Sequence, residues 1–126
     1  MADRLGKPFV YVRSSAKDHG LANLIEGHLE QGSKVMVVED LISTGGSSLK
    51  AVEALRNAGS QVVGMVASFT YGFPVATNAF EVANVQLETL TDYQSMLNAA
   101  LKSGYIKEES LETLNEWRKN PSEWGK

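Results

Sequence analysis

Apolar residues fall in short dense runs along the chain, separated by polar, glycine-punctuated stretches. The run Pro8–Arg13 (PFVYVR) is rich in β-branched and aromatic residues and predicts a buried strand. Pro8 stands at its first position, where a missing N–H is tolerated. Lys34–Asp40 (KVMVVED) predicts a second buried strand, and Gln61–Tyr71 (QVVGMVASFTY) a third. Between them, Leu49, Val52 and Leu55, with Ala51 and Ala58, fall on one side at helical spacing, and Gly59 is a good stop. Pro74–Ala83 predicts a short helix opened by Pro74. Val85–Leu90 alternates and predicts an edge strand. Thr91–Gln94 (TDYQ) reads as a capping box, with Thr91 capping and Gln94 reaching back. The stripe Tyr93, Met96, Leu97, Ala100 and Leu101 follows and stops near Gly104. A last, polar helix around Glu108–Lys119 carries Leu111, Leu114 and Trp117.

One stretch follows neither period. Ser14–Ser33 is polar and broken by glycines, and reads as a long loop that gains order around Leu24 and Ile25. Loops of this length inside a compact domain are often functional. Strands alternating with helices imply an α/β fold with a mostly parallel sheet. In such sheets, ligands bind beyond the carboxyl ends of the strands. No repeat, low-complexity tract or linker divides the chain, so residues 1–126 read as a single domain.

Composition narrows the function by exclusion. The formal net charge is −3, so no basic field draws in nucleic acid. There is no cysteine, which removes disulfides, thiolate nucleophiles and cysteine-bound zinc, and suits a cytoplasmic protein. His19 and His28 lack zinc-ligand spacing, and His28 reads as a surface residue. No apolar run reaches the length of a membrane span, and Met1–Lys7 does not read as a signal peptide. Trp117 and Trp124 read as packing residues rather than platforms for bases.

The informative stretch is VMVVEDLISTGGSS, Val35–Ser48. A buried strand ends on two carboxylates, Glu39 and Asp40, and runs into Ser43, Thr44, Gly45, Gly46, Ser47 and Ser48. The glycines free the backbone and let an anion approach closely. Successive N–H groups there form a concavity for phosphate, and the following helix adds its positive end. Ser43, Thr44 and Ser47 add hydroxyl donors. GxxxxGK[ST] is absent, so ATP hydrolysis is not implied. Glu39 and Asp40 suit sugar hydroxyls or a hard cation such as magnesium. Phosphate on the glycine side and hydroxyls on the acid side together describe a ribose 5-phosphate. Taken singly, these residues read as a helix start capped by Ser47 with two solvent-facing acids; the whole string in order favours the ligand.

That string resembles the signature of type I phosphoribosyltransferases, which use 5-phosphoribosyl 1-diphosphate (PRPP). YVRSSAKDHG, Tyr11–Gly20, is similar to the catalytic loop of orotate phosphoribosyltransferases, and LTDYQSMLNAALKSGYI resembles that family's C-terminal part. The resemblance implies a three-layer fold around a mostly parallel sheet, and transfer of ribose 5-phosphate from PRPP to orotate. It implies Lys17, His19 and Asp40 as catalytic residues. For PRPP it implies Arg13, Lys17, His19, Glu39, Asp40, Ser43, Thr44, Gly45, Gly46 and Ser47, and it puts Thr44 beside orotate. Magnesium is expected through PRPP, with Glu39 and Asp40 nearby. A homodimer is expected, in which Lys17 reaches the neighbouring site.

Three departures from the family pattern stand out. Ser14 replaces a lysine common in relatives, and LANLIEG replaces a more acidic, glycine-rich stretch. Family chains also carry an N-terminal portion absent here, including the orotate hood and a core strand between those matching Pro8–Arg13 and Lys34–Glu39. The fold is therefore expected to be incomplete at the N-terminus. Two other readings stand beside the leading one: a purine-type phosphoribosyltransferase, and a non-catalytic PRPP-binding or regulatory protein.

Overall fold

The computed structural model describes residues 1–13 and 24–125. The chain runs α1 (Ala2–Leu5), β1 (Tyr11–Val12), β2 (Ile25–Glu26), β3 (Lys34–Ile42), α2 (Gly46–Asn57), β4 (Gln61–Thr70), α3 (Pro74–Val82), β5 (Leu87–Asp92), α4 (Tyr93–Lys102) and α5 (Glu108–Lys119). A single 3-10 turn, Pro121–Glu123, follows. β3, β4 and β5 form one parallel sheet with β4 in the middle, while β1 and β2 pair antiparallel as a separate ribbon. The fold is thus mixed α/β with a parallel sheet, as the alternation of strand and helix patterns implies.

Both crossovers advance the same way, from β3 to β4 to β5. Right-handed crossovers then put α2 and α3 on one face of the sheet. They share one core there: Val52 of α2 and Ala76 and Phe80 of α3 pack with Ile42, Met65, Ala67 and Val85. Ile42, Met65 and Val52 are the largest side chains fully removed from water. Each contributes roughly 1.5–3 kcal/mol by burial.

Other apolar residues of the same strands stay in water. Met36 is 51% exposed, Val38 56% and Val63 50%. β3 is therefore not the buried strand its apolar run predicts; alternate residues are half-buried and exposed along it. An all-parallel sheet is normally covered on both faces, and among the described residues the core cluster draws helices from one side only. The ladder also slips between Val35 and Met36, which pair with Val62 and Gly64 and leave Val63 as the extra residue.

Three further expectations shift. Pro8–Arg13 is paired only at Tyr11 and Val12, and Phe9 and Tyr11 are exposed, because the one partner is the two-residue β2. β5 begins two residues later than predicted and runs through Asp92, with Thr91 paired to Phe69. Thr91 is thus strand, and the cap of α4 is Asp92, whose Oδ1 accepts from Ser95 N at 2.9 Å. That bond holds the Asp92 carboxyl below its ordinary pKa. The expected stops are in place: Gly59 and Gly104 both have positive φ, and Pro74 opens α3.

Candidate functional site

β3 delivers Glu39 and Asp40 toward its carboxyl end, and the chain turns at Ser43–Gly45 into α2. Glu39 is half-buried and Asp40 exposed. Asp40 Oδ1 accepts from Leu41 N at 2.6 Å, which fixes the carboxylate at the strand end. Ser43 is half-buried, and Thr44, Gly46 and Ser47 are exposed. The turn therefore presents hydroxyls and backbone to solvent at the end of the sheet where parallel α/β folds bind ligands.

The two glycines do different work. Gly45 is the N-cap of α2, is buried, and has φ 81°. A Cβ there would lie 2.7 Å from Phe80 Cε2, so position 45 is closed to a side chain by conformation and by space. Gly46 has no positive φ and nothing within 4 Å of a Cβ. The fold therefore does not itself require glycine at 46.

No side chain caps α2, and its first intrahelical bond in this turn is Leu49 N to Gly45 O at 2.9 Å. The first-turn N–H groups are thus left to a ligand or water. Ser47, expected as the cap when read singly, stands inside the helix, and Gly45 takes that place. Ser48 is buried beneath the turn.

Arg13 is engaged by the facing strand of the ribbon. Its Nη1 donates to Glu26 Oε1 at 2.6 Å, and its backbone N donates to Leu24 O at 2.8 Å. Lys17 and His19 lie outside the described residues, as do Ser14 and the first three residues of LANLIEG. Among the described residues no group of three His, Cys, Asp or Glu could hold a metal ion. Glu39 and Asp40 alone do not make a cage for magnesium, but they fit a cation whose other ligands come from a bound diphosphate.

A hollow of about 530 Å³ lies elsewhere, lined by Tyr71, Tyr93, Met96, Tyr105, Trp117 and Trp124 among others. Its walls are largely apolar and carry no charged group, so the turn after β3 is the site better equipped for phosphate. Trp117 packs there against Tyr71 and Tyr93, with ring centres 5.6 Å apart in both pairs. Trp124 is half exposed, so its packing is partial. Burial pushes the Tyr93 phenol up, and its hydroxyl donates to Leu114 O at 3.2 Å. His28 is exposed, as expected.

Two contributors escape a sequence reading. Phe80 forms the floor under Gly45, and Arg118 is bonded to the end of β4. In the sequence Phe80 shows only helical spacing, and Arg118 only a charge in a polar helix.

The phosphoribosyl transferase domain family matches residues 1–88. The chain belongs to the phosphoribosyltransferase family. It is 66% identical to an orotate phosphoribosyltransferase of Bacteroides fragilis over 98% of this chain and 58% of that one. Against the crystal structure of orotate phosphoribosyltransferase from Aeropyrum pernix the TM-score is 0.71, with 32% identity over 84% of this chain and 57% of that one. Against the Mycobacterium tuberculosis orotate phosphoribosyltransferase in complex with PRPP the TM-score is 0.58, with 31% identity over 71% of this chain and 52% of that one. The chain thus spans about three-fifths of the length of the curated relatives it matches. No described helix is long and apolar enough to cross a membrane.

Proposed function

We propose that this phosphoribosyltransferase chain acts on PRPP and orotate, giving orotidine 5-monophosphate and pyrophosphate. One observation carries the reading: an uncapped helix opens on Gly45 and Gly46 immediately beyond two carboxylates at the carboxyl end of a parallel strand. Similarity to orotate phosphoribosyltransferases over nearly the whole chain supports the choice of orotate.

In this reading the turn Ser43–Ser47 holds the 5-phosphate through N–H and hydroxyl donors. Glu39 and Asp40 accept from the 2- and 3-hydroxyls, and their charge faces the cation that develops on the ribose ring. The bond from C1 to the diphosphate oxygen breaks as orotate N1 bonds to C1. Lys17 and His19 neutralise the departing pyrophosphate, and Arg13 joins them by exchanging Glu26 for the diphosphate. Thr44 lies where orotate meets the ribose. Glu39 and Asp40, together with the diphosphate, would hold magnesium, which would offset the negative charge of the leaving group. The enzyme of this reading is cytoplasmic and works as a homodimer, with Lys17 reaching the neighbouring site.

A second reading, PRPP binding without turnover, has one observation in its favour. β3 is an edge strand among the described residues, beside exposed Met36 and Val38, so part of the expected surroundings of the site is open. A magnesium-dependent assay of orotate consumption separates the two, read by orotate's ultraviolet absorbance. Turnover that needs PRPP and disappears in Lys17→Ala supports the transferase. PRPP binding without turnover leaves the second reading.

A further inference from the structure

Helix α5 lies beyond the residues matched by the family, yet it is tied to the segment that follows β4. Arg118 Nε donates to Tyr71 O at 3.0 Å and its Nη2 donates to Gly72 O at 3.0 Å. Its Cζ stands 5.9 Å from the centre of the Tyr93 ring. Gly72 has φ +65°, and a Cβ there would come within 3.0 Å of Arg118 Nη2. Glycine thus clears the space that the guanidinium fills.

The tie continues toward the turn. Tyr71 N donates to Ile42 O at 3.1 Å. Gly72 N donates to Thr70 Oγ1 at 3.0 Å, and Thr70 is the ladder partner of Ile42. Ile42 is fully buried, is the last residue of β3, and precedes Ser43 directly. A hydrogen-bonded path therefore runs from Arg118 through Tyr71 and Gly72 to the residue on which the turn begins. The Tyr71 ring is also held by its neighbours, stacked on Phe73 at 5.3 Å and edge-on to Trp117.

We propose that Arg118 is a positioning residue for the turn Ser43–Ser47: it fixes the Tyr71–Gly72 segment, and through Tyr71 N–H and Ile42 O it sets where β3 ends. A planar fork of donors meets two successive carbonyls, which a lysine ammonium on a flexible stem does not reproduce. Without the fork, two half-buried carbonyls lose their partners and the segment shifts to recover them. Even a small displacement at a site that depends on placement is expensive in affinity. The ligand half of this proposal rests on the PRPP reading above; the structural half does not.

The test uses the full chain as Arg118→Lys, Arg118→Ala and, for comparison, Leu114→Ala, which loosens the same helix without removing the fork. Two readouts are taken: PRPP affinity with magnesium, and hydrogen exchange at the amides of Tyr71 and Ser43. Both Arg118 variants are expected to weaken PRPP about tenfold and to speed exchange at Tyr71, while Leu114→Ala lowers thermal stability but leaves affinity unchanged. Where turnover is measurable, KM for PRPP rises and kcat holds. Unchanged exchange at Tyr71 in both Arg118 variants overturns the proposal, as does an equal loss of affinity in Leu114→Ala. Failure of the parent chain to bind PRPP sinks the PRPP reading instead, and the exchange data then decide the role of Arg118 alone.

Discussion

The turn after β3 and the ribbon β1–β2 are both assigned to one reaction, yet they are built in opposite ways. The turn stands on the core. Ile42 before it, Ser48 after it and Phe80 beneath it are all buried. The ribbon consists of two-residue strands, with Tyr11 of β1 and Phe9 just before it in water, tied by an exposed pair between Arg13 and Glu26. The difference matches what the proposed reading asks of each. A group that holds the 5-phosphate gains from a fixed position, because ordering completed in folding is not repeated on binding. In the proposed reading the ribbon supplies Arg13, which trades Glu26 for the diphosphate, and an exposed pair is cheaply exchanged.

Substitutions can break this contrast. The largest effect is expected at Gly45→Ala. A left-handed backbone and overlap with the Phe80 ring act together, for a loss of roughly 2–4 kcal/mol in chemical unfolding. PRPP binding is lost with it. A loop that tolerates alanine there is not rigidly seated. Asp40→Asn comes next. Asp40 is exposed, so stability should stay within about 0.5 kcal/mol of the parent. Affinity for PRPP should fall roughly 10- to 100-fold, as expected for a charged acceptor lost from a sugar hydroxyl. Calorimetric titration beside a melting curve separates the two quantities.

Gly46→Ala sharpens the contrast most narrowly. There is room for the new methyl, and alanine favours the helix. Stability should hold or rise slightly, while PRPP affinity drops about tenfold because the methyl occupies the path of the phosphate. Unchanged affinity would place the phosphate elsewhere. The smallest effect is expected on the ribbon. Glu26→Gln removes an exposed ion pair worth at most about 1 kcal/mol. The melting temperature should barely move, and a large drop would mean that the ribbon belongs to the folding core after all.

Much of this fold is legible in the amino-acid sequence. The β3–turn–α2 unit, the Pro74 start, the Gly59 and Gly104 stops and α5 all rest on local signals: apolar period, fixed φ, and glycine where φ is positive. What is not legible depends on partners distant in sequence. Pro8–Arg13 has strand composition but lacks a long partner among the described residues, so only Tyr11 and Val12 pair. The start of α4 differs from its capping pattern because pairing to β4 carries β5 through Asp92, and pairing outranks that pattern. Met36 and Val38 look like core residues because composition reports what a strand could bury, not what covers it. At the site, the roles of Gly45 and Gly46 look identical in sequence and separate only once Phe80 is seen beneath one of them. Lys17 and His19, the residues assigned to the leaving group, lie outside the described residues and stand on resemblance alone.

The central claim is that the turn after β3 holds the 5-phosphate of PRPP. It is tested most directly by titrating the isotope-labelled chain with PRPP and magnesium while following backbone amides. The expected result is saturable movement of Thr44, Gly45, Gly46 and Ser47, matched by ribose 5-phosphate alone and shifted to about tenfold higher ligand concentration in Gly46→Ala. Amides of the turn that stay still while others move, or no movement at all, would contradict it.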